Sequence, residues 1–448
     1  MASRTFATAS RGYPFVGVLP DLWRDPLQTL RVLASKRGDI VCLGRCPRPV
    51  FLVNHPEFVR HVLQDNHRNY SKSPAVDRIK PLFGSGLTTS DGELWRRQRK
   101  LISPLFQPHR TISLTPLIKT AVADRLRHWS DVARKNGRIN VLQEMLNLTR
   151  NIIVQALFGP AESTDRVVEV LQAVVDHVSR DIWSVLLVAV HMPTPARLRF
   201  RRARRDLDAF IQEQIARRRL RGPAEDLLSE LSELRDERTG LPMSDTQLRD
   251  EVVTLFIAGY TTTATALTWI WILLSRHPDV ENKLHAEVAG VEDAEFCSAV
   301  ESGALRYTRR VIEESMRLYP PTWITARIAI DEDQLGDCRI PEKSILLLSP
   351  YAMHRHLDFW DNPECFDPDR FLPERSAARP RYAYFPFGGG PRTCIGMGLA
   401  MQEMLWTVAM AARYFRLLPI DRREPCPHAG LTLTPVAGTE FAPLLLSA

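Results

Sequence analysis

The sequence predicts a mostly α-helical protein with a small β-rich region. Helix-like spacing of apolar residues prevails from 112 to 234, and an uncharged segment at 252–274 predicts one long helix. Strand-like runs are few and short, at 39–43, 50–53, 340–349 and 431–435. We find no fixed-period repeat, which argues against solenoid and propeller folds.

Composition and charge are those of an ordinary globular protein. The chain has 448 residues, of which 44% are hydrophobic and 25% charged, and its net charge is +7. The seven cysteines are scattered, which indicates a reducing compartment rather than a disulfide framework. Cys42 and Cys46 lie close in sequence, but no second pair completes a zinc site. Residues 1–17 lack the apolar core of a signal peptide or anchor, so we expect a cytoplasmic protein.

The first ninety residues predict short alternating elements. A helix is predicted at 27–35, two strands at 39–43 and 50–53, and another helix from Pro56. Residues 70–90 are rich in glycine, serine, proline and lysine and predict a long loop. A plain surface loop and a loop that covers a ligand are equally compatible with this composition.

The next helix is predicted to begin at Asp91, whose side chain can cap it. Trp95 and Arg99 are four residues apart and therefore share a face. Taken alone, the pair is a weak signal, because an amphipathic helix with a solvated basic side also explains it. The residues expected to face the core are Leu94, Leu101 and Leu105.

An arginine-rich run at 199–205 raises the question of nucleic-acid or membrane binding. Acidic and apolar residues follow it directly at 206–213, so a solvated helix face is the favoured interpretation. The sequence 192–195 contains two prolines and separates predicted helices at 171–190 and 198–221.

The uncharged segment 252–274 has the length of a membrane span. Its centre is rich in hydroxyl groups, and no second span exists, so a long buried helix is favoured. Farther on, Glu314 and Arg317 share a face of a helix that two prolines end. His354 and His356 are candidate metal ligands, but a capped turn is favoured because no further ligands lie near them in sequence.

A single thiol lies inside the glycine-rich stretch 387–396. Its glycines permit positive φ and the close approach of a flat ligand or another backbone. Cys394 comes just before an apolar helix-like segment, where amide groups and the helix dipole favour a thiolate. Phe387 can shield the sulfur and Arg392 adds positive charge, which suits an axial ligand of haem iron. A buried structural cysteine in a glycine turn is the alternative.

The pattern Phe-x-x-Gly-x-Arg-x-Cys-x-Gly at 387–396 resembles the haem-binding signature of the cytochrome P-450 family. Four further motifs are similar to those of the family and follow its order. They are Trp95 with Arg99, residues 258–263, Glu314 with Arg317, and residues 368–371, where Arg370 is expected to join Glu314.

This resemblance implies the fold of a soluble, bacterial-like member of the family. We expect a single large domain over residues 1–448. Its β-rich portions should lie at 36–60, 323–350 and 428–445, and the remainder should be helical.

The resemblance also implies a set of site residues around haem b. Cys394 would be the axial iron ligand, and Thr262 the threonine of the oxygen-binding motif. Thr261 stands where the family has an acid. Thr262 and Thr261 are the candidate catalytic residues. The other expected haem contacts are Trp95, Arg99, Ala258, Arg327, Phe387, Arg392 and Gly396. The expected substrate contacts are Phe83, Leu87, Leu255, Ile324, Thr325 and Leu431.

The function implied is that of a haem-thiolate monooxygenase of secondary metabolism. It would insert one oxygen atom from O2 into a hydrophobic small molecule, such as a terpenoid, steroid, fatty acid or polyketide. A separate ferredoxin or flavodoxin-type donor would supply electrons, docking near Arg96, Arg97 and Lys100. Two alternatives stay open. Thr261 in place of the acid keeps open peroxide-dependent, coupling or rearrangement chemistry. The other alternative is a non-catalytic haem protein used for binding or sensing.

Overall fold

A computed structural model of the chain describes residues 7–8, 17–36, 38–45, 48–73, 76–77, 79–159, 195–222, 224–420 and 423–446. The predicted helix at 171–190 and the residues around Pro193 lie outside this set. Two compact units are present. The sheet unit comprises Met1–Pro74, Trp269–Cys394 and Cys426–Val436, and the helical unit comprises Ala75–Thr268, Ile395–Pro425 and Ala437–Ala448. The prediction of one domain over 1–448 stays a prediction.

Within the described ranges, the strands are short and lie in four sheets. In chain order they are β1 (Ala7–Thr8), β2 (Ile40–Gly44), β3 (Val50–Val53), β4 (Tyr70–Lys72), β5 (Ile139–Asn140), β6 (Thr325–Ala329), β7 (Asp333–Leu335), β8 (Cys338–Ile340), β9 (Ile345–Leu348), β10 (Phe415–Pro419), β11 (Pro427–Ala429), β12 (Leu433–Pro435) and β13 (Glu440–Leu445).

The largest sheet belongs to the sheet unit and has the order β1-β2-β3-β9-β6-β4. The β1–β2 and β3–β9 pairs are parallel, whereas the remaining neighbours are antiparallel. Every residue of β2 and β3 is buried, which explains why both strands are continuous apolar runs in the sequence. Both strands confirm the prediction. Two hairpins, β7–β8 and β11–β12, complete the strands of this unit.

Helices make up most of the structure, about 59%. This confirms the predicted mostly-α class with a small β-rich region. In the sheet unit they are Leu19–Arg24, Pro26–Lys36, Pro56–Arg60, Pro278–Ala289, Asp293–Glu301, Arg306–Leu318, Pro350–Met353 and Pro373–Ala377. In the helical unit they are Lys80–Phe83, Gly92–Ile102, Pro108–Ser113, Thr115–Arg134, Val141–Phe158, Pro195–Arg221, Leu227–Glu233 and Met397–Tyr414.

The helix Asp245–Arg276, here called the central helix, contains the uncharged segment. Among the described helices, it alone is long and apolar enough to cross a membrane, and 83% of its apolar window is buried inside the protein. Its Val252, Val253 and Phe256 pack in the apolar core of the helical unit. Burial by protein therefore accounts for the apolar sequence, as the buried-helix interpretation predicted.

A buried ion-pair network supports the architecture of the sheet unit. Arg317 binds both carboxylate oxygens of Glu314, at 2.7 and 2.8 Å, and both side chains are fully buried. Arg370 lies 3.3 Å from Glu314, which confirms its predicted place as the third member. Arg317 also donates to the carbonyl oxygens of His354, Pro363 and Cys365.

The histidines at 354 and 356 belong to a turn. The Phe385 N–H donates to His354 Nε2 at 3.0 Å, and the opposite ring nitrogen lies 3.2 Å from the Arg317 carbonyl oxygen. Burial lowers the pKa of His354 well below its usual value, so the ring stays neutral. His356 accepts the Asp358 N–H, which is the predicted capped turn. Within the described ranges, no three His, Cys, Asp or Glu side chains form a metal-ligand group.

The local sequence pattern predicts the wrong structure at several places, including the following three. Residues 70–72, predicted as loop, form β4, because the chain there pairs antiparallel with β6. The polar connection at 225–250 contains the helix Leu227–Glu233, which Asp226 caps by accepting the Ser229 N–H. Leu94 is 40% exposed rather than core-facing, and the buried side of its helix carries Trp95, Gln98 and Ile102.

Candidate active site

The loop before Cys394 is a tight turn stabilised by its own backbone. The Cys394 N–H donates to the Phe387 carbonyl oxygen at 3.0 Å, and the Thr393 hydroxyl donates to Gly390 at 2.8 Å. Gly388 and Gly390 have φ angles of +72° and +63°, which residues other than glycine adopt only with backbone strain. The Cys394 side chain is exposed and not in a disulfide. The loop therefore presents a thiol on its surface, which contradicts the buried structural-cysteine alternative.

Two close approaches fix this loop in the sheet unit. A Cβ on Gly389 would overlap the ring of Tyr382, and a Cβ on Gly390 would overlap the carbonyl oxygen of Leu63. The Tyr382 hydroxyl accepts the Gly390 N–H at 3.1 Å and donates to Gln64 at 2.9 Å. The sequence suggested that a ligand or another backbone approaches these glycines. The structure assigns the approach to protein groups, and Tyr382 and Gln64 were not foreseen.

Two arginines of the sheet unit match predicted haem contacts. Arg392 is half-buried at the end of the short helical turn Gly390–Arg392. Arg327 lies on β6, also half-buried, and donates to the Thr325 hydroxyl at 3.1 Å and to the Ala326 carbonyl oxygen at 3.0 Å. Arg327 is therefore not a plain exposed strand arginine. A half-buried guanidinium is suited to bind an anionic propionate.

The threonines of the central helix differ in exposure. Thr261 is only 6% exposed and donates to the Ile257 carbonyl oxygen, whereas Thr262 is partly exposed and donates to Ala258. Ala258 is itself exposed, one turn before Thr262, on a helix that is otherwise mostly buried. Ala258 and Thr262 thus form an open stripe, where a small side chain lets a flat group approach.

The predicted Trp95 and Arg99 pair lies on the helix Gly92–Ile102, which Asp91 caps through the Gly92 N–H as expected. Trp95 is buried and Arg99 is half-buried.

Two of the cations expected to attract an electron donor form ion pairs with acidic residues of the helical unit. Arg97 binds Asp236 at 2.8 Å and Lys100 binds Glu237 at 2.5 Å. Arg96 is exposed.

Three predicted substrate contacts lie in the helical unit. Phe83 ends a short helix and packs with Leu255 in the apolar core of this unit. Leu87 is buried in the turn that follows, and its N–H donates to Glu251 of the central helix at 2.9 Å. The loop predicted at 70–90 is therefore packed against the central helix at residues 84–87, which disagrees with a plain surface loop.

The other three predicted contacts adjoin one another in the sheet unit. Ile324 and Thr325 are half-buried, and Leu431 lies in the turn between β11 and β12 rather than on a strand. The Trp323 indole donates to the Gly430 carbonyl oxygen at 3.0 Å. The two segments are also joined by the bond from the Leu433 N–H to the Pro321 carbonyl oxygen. These two bonds hold the segment just before β6 against the hairpin that contains Leu431.

The residue set fits a haem. Cys394 offers one exposed thiol on a rigid loop, and Arg392 and Arg327 offer half-buried cations in the same unit. In the helical unit, the exposed Ala258 and the partly exposed Thr262 leave room along one stripe of the central helix. A single thiolate ligand with arginines for the propionates is the donor set that haem-thiolate proteins use.

Comparison with known proteins agrees with this chemistry. The family model described as Cytochrome P-450 matches residues 9–439. Cyclooctatin synthase from Streptomyces melanosporofaciens is 37% identical, over 96% of this chain and 94% of its own. Cyclooctat-9-en-7-ol 5-monooxygenase of the same organism is 35% identical, over 93% and 90%. Pentalenene oxygenase from Streptomyces avermitilis is 32% identical, over 93% of both chains.

The match extends over nearly the whole chain, and this extent confirms the predicted fold, the haem b cofactor and the enzyme class. The family binds haem b through a cysteine thiolate, and two of the relatives above are named as a monooxygenase and an oxygenase. A role confined to binding or sensing is thereby set aside. The individual site residues remain predictions. The chain belongs to the cytochrome P-450 family and is a haem-thiolate monooxygenase.

Proposed function

We propose that this enzyme inserts one oxygen atom into a terpenoid. The similarity to three enzymes whose names refer to cyclooctatin, cyclooctat-9-en-7-ol and pentalenene carries the proposal. The proposed substrate contacts support it, because they are apolar apart from one hydroxyl. These residues are Phe83, Leu87, Leu255, Ile324, Thr325 and Leu431.

When bound, the haem supplies the iron at which dioxygen is activated. In the proposed roles, Cys394 ligates the iron, and Arg392 and Arg327 bind the propionates. Thr262 carries the proton-handling role on the open stripe. Its Oγ1–H donates to the Ala258 carbonyl oxygen, which leaves the acceptor sites of the hydroxyl available for a water. Thr261 is buried and bonded to Ile257, so we assign it no direct contact with the reacting atoms.

Electrons are proposed to come from a separate ferredoxin or flavodoxin-type protein. Arg96, Arg97 and Lys100 are the candidates for docking an acidic donor, and the ion pairs with Asp236 and Glu237 lower the net charge beside the last two. We also propose a cytoplasmic location. The bacterial relatives support it, and so does the burial of the one membrane-length helix within the described ranges.

A titration of the ferric enzyme tests the substrate class. Cyclooctat-9-en-7-ol and pentalenene should each shift the haem from low to high spin, because an apolar ligand displaces the distal water. A steroid and a long-chain fatty acid serve as comparison ligands and should give no saturable shift. Tight binding of either comparison ligand, with no response to the terpenoids, would overturn the proposal.

One observation favours a second candidate, a peroxide-dependent, coupling or rearrangement enzyme. The acid position holds Thr261, whose buried hydroxyl carries no readily ionised proton of the kind that a carboxyl group would supply. Turnover with hydrogen peroxide alone should be compared with turnover on dioxygen and an electron donor system. Product formed at a higher rate with peroxide alone would establish the peroxide-dependent form of this candidate, and a product without an added oxygen atom would establish coupling or rearrangement.

A further inference from the structure

A short loop is attached to the first turns of the central helix by two buried carboxyl groups. Asp250 accepts the Ser85 N–H at 2.7 Å, and Glu251 accepts the Leu87 N–H at 2.9 Å. Asp250 and Glu251 are 6% and 0% exposed. Buried carboxyl groups that accept backbone N–H groups form strong hydrogen bonds, and they are costly to leave unmade. We call residues 84–90 the clamped loop.

The backbone of the clamped loop lies directly on the central helix. A Cβ on Gly84 would overlap the Asp250 carboxylate, and a Cβ on Gly86 would overlap the Thr254 hydroxyl. Gly84 also has a φ of +57°. Glycine is therefore required at both positions by the closeness of the two segments.

The first carboxylate is itself fixed by an arginine. Arg249 donates to Asp250 at 2.8 Å and, through Nε, to Asp208 at 2.8 Å. Asp208 belongs to the helix Pro195–Arg221, so one guanidinium joins this helix to the clamp. On its other side the loop is joined to the helix Gly92–Ile102, because Gln98 donates to the Ser85 carbonyl oxygen at 2.7 Å.

The carboxylate of Glu251 lies on the same face of the central helix as the open stripe. Glu251, Leu255, Ala258 and Thr262 are spaced by four, three and four residues and share one face of the central helix. Leu87, bonded to Glu251, therefore lies toward the N-terminal end of the face that carries Thr262. The clamp determines where the side chain of Leu87 stands relative to that face.

We infer that Asp250 and Glu251 are positioning residues that clamp residues 84–90 and thereby set the shape of the substrate pocket. This rests on the proposed function in one respect, the contact of Phe83 and Leu87 with substrate. A clamped loop is pre-organised, so a large ligand does not have to order it on binding. Loosening the clamp weakens the binding of large ligands and leaves the haem attachment unchanged.

Two azole ligands separate the pocket from the iron. Imidazole is small and depends chiefly on the iron, whereas clotrimazole carries a large triaryl group that also depends on the pocket. Glu251→Ala should weaken clotrimazole about tenfold relative to imidazole, as the loss of one charge-assisted hydrogen bond allows. Glu251→Gln retains an acceptor for the Leu87 N–H and should restore the ratio to within about threefold of the wild type.

Glu287→Ala is the matched control. Glu287 accepts the N–H groups of Tyr307 and Thr308, at 2.6 and 2.7 Å, so its removal breaks the same kind of bond elsewhere. Its clotrimazole-to-imidazole ratio should equal that of the wild type. Gly86→Ala, which pushes the loop off Thr254 without removing a carboxyl group, should reproduce the effect of Glu251→Ala.

An unchanged ratio in both Glu251→Ala and Gly86→Ala would overturn the clamp, as would an equal change in Glu287→Ala. The ratio is independent of the identity of the natural substrate. If the terpenoids fail to shift the spin state and the azole ratio still responds as expected, the substrate class is wrong and the clamp stands.

Discussion

At the scale of single residues, Gly388 and Gly390 illustrate two different requirements for glycine. Both have positive φ, but a Cβ on Gly388 would meet nothing within 4 Å, whereas one on Gly390 would overlap the Leu63 carbonyl oxygen. Backbone strain is thus common to both, and steric exclusion belongs to Gly390. The two positions form a natural pair for mutation.

Gly390→Ala should disrupt the cysteine loop, because either Leu63 or the loop has to move. We expect loss of the thiolate-type spectrum of the reduced carbon monoxide complex. Gly388→Ala, with strain alone, should keep that spectrum and lower the free energy of unfolding by about 1–2 kcal/mol. If both variants keep the spectrum and unfold alike, the approach to Leu63 has no role in holding the thiol.

At the scale of elements, the helix Arg306–Leu318 shows how one helix face organises distant loops. Arg317 projects from it into full burial and binds three carbonyl oxygens in addition to Glu314. Nearer the surface of the same helix, the exposed Arg309 pairs with the half-buried Glu313 at 3.1 Å. Ion pairs of similar composition are therefore present in two environments.

Arg317→Met should destabilise the protein by about 3–5 kcal/mol, because Glu314 is left buried with only part of its pairing. Arg309→Ala removes the exposed arginine of the less buried pair and should cost no more than about 1 kcal/mol. Urea unfolding followed by circular dichroism measures both. Equal losses would show that burial does not decide the contribution of these pairs.

At the scale of the whole molecule, one carboxylate joins segments more than 250 residues apart in sequence. Asp333 accepts hydrogen bonds from Tyr70 at 2.6 Å and Asn66 at 3.0 Å, and lies 2.8 Å from His61. Burial alone would raise the pKa of Asp333, but the hydrogen bonds from Tyr70, His61 and other donors lower it overall. Burial and this carboxylate raise the pKa of Tyr70, which keeps its proton on the donor.

The depressed pKa of Asp333 has a defined sign for stability. Its contribution is fully present above about pH 4, the usual carboxyl pKa, and is lost as the pH falls through the lower folded-state value. Asp333→Asn should therefore lower the free energy of unfolding at pH 7 by about 1–3 kcal/mol. The difference from the wild type should shrink below pH 4. A difference that stays constant across this range would contradict the assignment.

Much of this molecule was predictable because its signals are local. The ion-pair helix, the central helix and the cysteine loop each rest on residues within one or two turns of one another, where spacing along the chain fixes which side chains share a face. The remaining features depend on partners far away. Strand β4 forms because it pairs with β6. Leu94 points outward because its helix buries the face that carries Trp95 and Ile102.

The sequence by itself determined the family, the haem-thiolate chemistry expected at Cys394 and the triad of Glu314, Arg317 and Arg370. Tertiary structure decided which threonine is presented on the open stripe and how Tyr382 fixes the cysteine loop. It also decided that two carboxyl groups hold residues 84–90. The Leu87–Glu251 and Tyr382–Gln64 bonds join residues 164 and 318 positions apart. Pairing at such separations is set by how packed elements exclude water and by which donors face which acceptors, and no local spacing encodes it.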